Sequence, residues 1–253
     1  MPDNVNLPLA NTVGLVTGGG GGIGSAIARR LASAGASLVL TYNQDAQKAQ
    51  TALDSLAGEN HLVTQTSVTN SDALAELAET IKQRYGRLDI LVNNAGITRI
   101  VPHHDLDELD DELIDDIFRT NWRGALACVR AFRELLAANG NGLVTNISSI
   151  AARTAVGSNL AYCASKAALD SMTMSLARAL APQIRVVSVS PGWVDGEYAK
   201  RADPAYLQEQ IERTPLGRIA SPEDVAEAVY AVAIGLPFTT GAIIPVDGGR
   251  PLK

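Results

Sequence analysis

Residues 12–24 read TVGLVTGGGGGIG: a short apolar run, five consecutive glycines, and the start of a helical pattern near Gly22. Glycines allow a tight turn and let backbone N–H groups approach a pyrophosphate, and the following helix N-terminus favours the anion. A G-x-G-x-x-G match at Gly19, Gly21 and Gly24 carries little information, because a run of glycines satisfies many such patterns. T-G-x-x-x-G-I-G at Thr17, Gly18, Gly22, Ile23 and Gly24 is better defined. With a strand before it and a helix after it, the loop is expected to bind a nucleotide.

Outward from this loop, short apolar runs alternate with helix-length segments. The strands are expected at 12–17, 37–42, 61–66, 89–94, 142–148, 185–190 and 242–246. Most are apolar on consecutive positions, as strands buried on both faces of a parallel sheet are. Helical patterns run at about 22–34, 44–57, 71–85, 108–138, 159–180 and 222–234, the last with Ser221 as N-cap and Pro222 in its first turn. This alternation predicts one doubly wound, Rossmann-type α/β domain over 1–253, with a seven-stranded parallel sheet and helices on both faces. Residues 193–215 break the alternation with a short amphipathic piece, PAYLQEQIER, flanked by loops. Such a late insertion is expected to act as a substrate lid.

Composition narrows the function classes. The 253 residues are 46% hydrophobic and 19% charged, which excludes disorder and fills a core. No apolar run approaches the roughly 18 residues of a membrane span, and MPDNVNLPLAN lacks a signal peptide's basic and apolar regions, so a cytoplasmic location is expected. Cys128 and Cys163 give neither a disulfide framework nor zinc spacing. Eight of the 27 acidic residues lie in DLDELDDELIDD (105–116); without them 21 basic and 19 acidic residues remain. The formal charge of −6 is therefore a local patch, and no cluster of Lys and Arg suggests nucleic acid.

Tyr162 and Lys166 in AYCASKAAL are four residues apart on an expected helix, so they project from one face. A free tyrosine with pKa about 10 is a poor acid or base at neutral pH, and a nearby ammonium lowers that value. Alone, the pair also fits the surface of an amphipathic helix. Together with TGGGGGIG (17–24), NNAG (93–96), Asn121, Ser149 thirteen residues before Tyr162, Pro191-Gly192, PLGRIASPEDVA (215–226) and VDGG (246–249), it resembles the short-chain dehydrogenase/reductase family along nearly the whole chain.

The resemblance implies hydride transfer between a nicotinamide cofactor and a carbonyl or secondary alcohol. Tyr162 would be general acid for reduction and base for oxidation, with Lys166 lowering its pKa and bonding the nicotinamide ribose. Ser149 would hold the substrate oxygen; Ser148 competes for that role, and the spacing favours Ser149. Asn121 would hold a water that links Lys166 to solvent. The cofactor groove would take in Gly18, Gly20, Gly21, Gly22, Ile23 and Gly24 of the loop, Tyr42 and Asn43, Ser67 and Val68, Asn93, Ala95 and Gly96, and Pro191, Gly192 and Val194. Homodimers or homotetramers are common in the family, and the partner would be a small-molecule substrate.

Three departures bear on the cofactor. After the second strand, Thr41-Tyr42-Asn43 has no acid to bind the ribose 2′-hydroxyl of NAD, and Asp45 is expected to open the next helix. NADP is therefore expected, with NAD as the alternative, although Gly21 stands where NADP-preferring relatives frequently have Arg and the nearest downstream cation is Lys48. Ser67-Val68 stands where the family usually has Asp beside a hydrophobic residue, and Gly196 where it usually has Thr. Both predict weaker cofactor binding, and Gly196 a more flexible lid.

His103 and His104 fit no metal spacing, and one of them is a candidate substrate contact. Cys163 reads as a packed side chain. Trp193, Tyr198, Tyr206 and Leu207 are candidates for substrate contact or for hinge packing. The tail resembles that of 3-oxoacyl-carrier-protein reductases, but AANGNG (137–142) and APQ (181–183) near the entrance lack the basic residues that would dock an acidic carrier protein. A free ketone, ketoester or sugar-like substrate is an equal expectation, and a nucleotide sensor without turnover is the rival of another class.

Overall fold

The computed structural model describes residues 7–252 except 197, 198 and 200–202. Seven strands, β1 (Val13–Val16), β2 (Ser37–Tyr42), β3 (Leu62–Gln65), β4 (Ile90–Asn93), β5 (Gly142–Ile147), β6 (Ile184–Pro191) and β7 (Ile243–Val246), form one sheet in the order β3-β2-β1-β4-β5-β6-β7. Every pairing is parallel. The order reverses direction between β1 and β4, the place where an open α/β sheet leaves a crevice at the carboxyl ends of its strands.

Side-chain alternation divides the core in two. Val16, Leu38, Leu40, Ile90, Val92, Leu143, Val187 and Val189 pack on one face with α1 (Gly22–Ser33) and with Val225, Val229 and Val232 of the last long helix, Pro222–Ile234. Their strand neighbours Val13, Leu15, Val39, Leu91, Val144 and Val186 pack on the other face against α3 (Ser71–Tyr85) and α5 (Ala125–Ala137). Consecutive apolar residues thus feed two cores at once, which is why these strands lack the apolar/polar alternation of a half-exposed sheet. The expected boundaries of β2, α3 and the last helix hold residue for residue.

Local chemistry sets the remaining boundaries. The second helix, α2, is shorter than expected at Ala46–Asp54: Asp45 caps its start by accepting from the Lys48 N–H, and it ends where the Ser55 N–H turns back to the Ala52 carbonyl. The single helix expected over 108–138 begins at Asp111 after the Asp110 cap. It runs as α4 (Asp111–Phe118), a π-helical segment (Arg119–Gly124) and then α5. The connection after β5 holds a short helix, α6 (Ala151–Thr154), before α7 (Leu160–Leu180).

In 193–215, the described part holds α8 (Pro204–Glu212), capped by Asp203. Its neck is closed: the Asp195 N–H donates to the Ala220 carbonyl at 2.7 Å and the Ala220 N–H to the Trp193 carbonyl at 2.8 Å. The helix Pro222–Ile234, α9, then starts from a capping box between Ser221 and Asp224. No helix among the described residues is long and apolar enough to cross a membrane.

Candidate active site

The turn after β1 is braced from β4. The Asn94 amide donates to the carbonyls of Thr17 and Gly18, and the Asn94 and Ala95 N–H groups both reach the Thr17 hydroxyl at 3.0 Å. The glycines divide into two kinds. A Cβ on Gly24 would lie 2.4 Å from the Gly18 carbonyl oxygen, one on Gly20 2.9 Å from the Ala49 nitrogen, and one on Gly19 2.8 Å from Leu40. Gly21 and Gly22 are exposed, and a Cβ on Gly22 would meet nothing within 4 Å. Packing requires the first group; the second leaves room for a ligand backbone to approach.

Helix α1 has neither a side-chain cap nor an acid in its first turn, whereas α2, α3, α4, α8 and α9 all carry capping side chains. Its first N–H groups and dipole are thus arranged for an external anion. On these grounds the turn fits the pyrophosphate of a dinucleotide. Tyr42 ends β2, half-buried, with Asn43 exposed beside it. Asp45, occupied as the α2 cap, also sits 3.5 Å from Lys48.

Across the switch point, α7 carries Tyr162 and Lys166. Asn159 caps this helix, accepting from the Tyr162 N–H at 2.7 Å, and its amide donates to the Arg99 carbonyl at 2.7 Å and the Thr98 hydroxyl at 3.2 Å. One fully buried side chain therefore ties Tyr162 to the loop after β4. The Lys166 ammonium lies 5.7 Å from the Tyr162 ring centroid and donates to the Ile147 carbonyl at 2.8 Å, two residues before Ser149. Burial brings it down to about 8, against the opposing charge of Asp170. A Cβ on Gly96 would sit 3.2 Å from Asn121 Oδ1 and 3.7 Å from Lys166 Nζ, so the loop after β4, the π-helical segment and α7 converge here.

The two serines after β5 are separated by burial. Ser148 is buried, its hydroxyl 3.4 Å from the Lys166 carbonyl. Ser149 is half-exposed, and its oxygen accepts from the Ala151 N–H at 3.2 Å in the turn opening α6. The Ile150 N–H donates to the Pro191 carbonyl, joining that turn to the end of β6. A Cβ on Gly192 would come within 3.0 Å of the Asp247 Cα, and Val194 forms an isolated bridge with Ala220.

Other residues singled out in the sequence have partners of their own. The Asn93 side chain is buried in the sheet, donating to Asn146 Oδ1 at 2.9 Å, because the pleat turns it inward while Asn94 braces the turn. The Asn121 side chain is occupied: it accepts from the Ile97 N–H and donates to the Ile97 carbonyl and the Ser165 hydroxyl. Ser67 spends its hydroxyl on Thr69, and Val68 is buried against Gly124.

His103 meets the Gly157 carbonyl at 3.2 Å; His104 is exposed, and no metal-holding cluster occurs among the described residues. Cys163 is buried, which raises its thiol pKa. Trp193 and Tyr206 pack edge to face with centroids 5.5 Å apart, Leu207 is half-buried, and Tyr198 lies outside the described residues. Exposed acids of 105–116 are partly paired: Arg99 reaches Asp110 at 3.1 Å and Arg119 reaches Asp116 at 2.7 Å. Asn159 was missed at the sequence level, although an Asn at the start of the helix, three residues before Tyr162, is a capping signal.

A family model described as enoyl-(acyl carrier protein) reductase matches residues 18–250. The chain is 37% identical over 245 residues, 95% of its own length and 96% of the relative's, to a ketoacyl reductase assigned to the granaticin polyketide synthase of Streptomyces violaceoruber. It is 35% identical over 243 residues, again 95% and 96%, to cis-4-hydroxycyclohexanecarboxylate dehydrogenase of Sinomonas cyclohexanicum. A crystal structure from Burkholderia xenovorans assigned to the short-chain dehydrogenases/reductases superposes with a TM-score of 0.90 at 34% identity, covering 96% of this chain and 98% of the other. With its parallel seven-stranded sheet, its braced glycine turn and the Tyr162–Lys166 pair, the chain belongs to the short-chain dehydrogenase/reductase family of nicotinamide-dependent oxidoreductases.

Proposed function

We propose that this chain interconverts a small or medium, apolar-to-amphipathic ketone and its secondary alcohol, with NADP preferred over NAD. The observation that carries the reading is the convergence of Tyr162 and Lys166 with Gly96 after β4 and with Ile147 at the end of β5, two residues before Ser149. When bound, the nicotinamide supplies or accepts the hydride, and the chain's own residues move the proton. In reduction, Ser149 donates a hydrogen bond to the carbonyl oxygen and Tyr162 protonates it as charge develops there; oxidation runs the same roles in reverse. Lys166 favours the phenolate of Tyr162 by its charge. With the Asn121 amide engaged, any water linking Lys166 to solvent would be held by the Asn121 backbone.

Exposed Val156 (67%), Leu160 and Ile97 offer an apolar rim for the substrate, and the segment 193–215 serves as the lid. The preference for NADP follows from Tyr42-Asn43, which sets no carboxylate at the end of β2, and from the engagement of Asp45 as a cap. The protein works as a homodimer or homotetramer in the cytoplasm. The ketoacyl and cyclic hydroxyacid activities named for the two relatives make β-ketoacyl thioesters and cyclic ketones the first substrates to try.

A panel of ketones and ketoacyl thioesters, followed by NADPH and NADH absorbance, tests the proposal. Turnover of at least one carbonyl, faster with NADPH and falling on the order of 10²–10⁴-fold in Tyr162→Phe, is expected. Clear preference for NADH overturns the cofactor assignment; unchanged activity in Tyr162→Phe overturns the role of Tyr162. Nucleotide binding without turnover across the panel would favour a sensor.

A further inference from the structure

Among the described residues, only two charged side chains are buried, Lys166 at 6% exposure and Asp170 at 8%. They stand one helical turn apart on α7, at the i and i+4 spacing that brings side chains together. We propose that Asp170 is a positioning residue for proton transfer, whose buried carboxylate maintains the charge of the Lys166 ammonium, held at the Ile147 carbonyl, and thereby sets the alkaline limit of the enzyme's working pH. This inference rests on the reading of Tyr162 and Lys166 given above.

A buried carboxylate without a countercharge is costly, and its neighbours show how this one is kept. The Ser188 hydroxyl of β6 donates to Asp170 Oδ1 at 2.9 Å. Behind it, Thr173 lies 3.2 Å from Ser188 and accepts the Asn146 amide at 2.8 Å, so a polar chain runs from β5 to the carboxylate. Hydroxyls of Ser148 and Ser188 and the charges of Lys166 and Arg153 oppose the rise in Asp170 pKa that burial causes.

Arg153, on α6, is half-exposed and already paired with Asp247 at 3.5 Å. On the other elements packed against α7, Asp111, Glu112 and Asp115 of α4 and Arg119 and Arg123 of the π-helical segment are exposed, and Asp116 pairs with Arg119. Arg185 of β6 donates to carbonyls at the far end of the sheet. Tyr162 is the remaining titratable group beside Lys166. The buried charge that answers Asp170 is therefore Lys166.

The sign is fixed by what each group loses. Burial lowers the Lys166 pKa and Asp170 raises it, so removing the carboxylate lets Lys166 deprotonate at lower pH. Asp170→Asn keeps the shape and removes the charge. In this variant the alkaline limb of the reduction profile is expected to move down by about one pH unit, the shift an opposite charge at short range typically causes. Turnover near pH 9 then falls about tenfold relative to wild type, and near pH 6.5 stays within about twofold.

Asp170→Ser is the second neutral variant, for use if the amide fails to fold, and Asp170→Glu should restore the wild-type limb. Carbon-13 lysine NMR, with Lys166 assigned by Lys166→Arg, reads the Lys166 titration without turnover and should show the same downward shift. Profiles that superimpose on wild type, or a uniform loss at every pH with the Lys166 titration unmoved, overturn the proposal. A shifted titration with an unmoved limb also overturns it. If the wild type turns over no carbonyl, the reading of the site fails instead, and the NMR titration still decides the coupling.

Discussion

Replacing Gly22 and Gly24 separately by alanine should have opposite effects on the free protein and a shared effect on nucleotide binding. Gly22 is the first residue of α1, is exposed, and has nothing within 4 Å of an added Cβ. Alanine there removes backbone freedom from the unfolded chain and suits a helix, a gain of about 0.5 kcal/mol. For a chain of this size that raises Tm by roughly 1–2 °C. Gly24 sits two residues further along the same helix, and its Cβ would lie 2.4 Å from the Gly18 carbonyl oxygen and 2.7 Å from the Asn94 amide nitrogen. Ordinary contact needs about 1 Å more, and the obstacle is backbone held by Asn94. Overpacking of this kind costs about 2 kcal/mol, or roughly 4–8 °C in Tm.

Both variants should nevertheless bind NADPH at least about tenfold more weakly, near 1.4 kcal/mol, by fluorescence titration. If the pyrophosphate sits at this turn, the Gly22 methyl intrudes on its open side, and the Gly24 methyl displaces the turn itself. The informative variant is Gly22→Ala, in which stability and affinity must separate. Wild-type affinity in Gly22→Ala would refute the placement of the pyrophosphate at this turn. A marked drop in its Tm would refute the division of the glycines into packed and open.

Asn159→Ala removes the α7 cap and both ties to the loop after β4; about 1–2 kcal/mol of stability is expected to go, seen in urea denaturation, with kcat falling more than KM rises because Tyr162 loses its anchor. Wild-type kcat in that variant would show that Tyr162 is held by the helix alone. Asp224→Ala breaks the α9 capping box and the Arg218 pair and should cost about 1 kcal/mol at pH 7, discounted for the partial exposure of both groups. Arg218 holds the Asp224 carboxyl well below the usual carboxylate range, so its contribution is full above about pH 4 and is lost as pH falls further. The stability gap between wild type and Asp224→Ala, measured by denaturation across pH, should therefore close on acidification; a constant gap contradicts the assignment.

Much of the architecture was legible because its signals are local. Consecutive apolar residues in SLVLTY and DILVNN mark strands covered on both faces, and Asn70 and Gly86 bound α3 as cap and left-handed stop. The errors arose where a boundary depends on a side chain meeting the backbone. The Ser55 hydroxyl turns back to the Ala52 carbonyl where α2 stops, and the π-helical segment interrupts the long helix while leaving its apolar spacing nearly unchanged. The resemblance names Asn93 for the groove, and only the pleat shows that its side chain turns into the sheet toward Asn146 while Asn94 holds the turn.

Contiguous stretches of residues were enough to indicate a parallel, doubly wound sheet, a glycine-rich turn between strand and helix, and Tyr162 and Lys166 on one helix face. Strand and helix periodicity act over a few residues, and the glycine turn lies in one continuous segment. Contacts between distant segments fix which glycines are packed and which stand open, which of two adjacent serines is buried, and that Asn159 anchors the helix carrying Tyr162. They also join Asp170 to Ser188 of β6, eighteen residues away. Burial and hydrogen-bond partners are set by distant segments meeting across the sheet, and no spacing along the chain encodes that meeting.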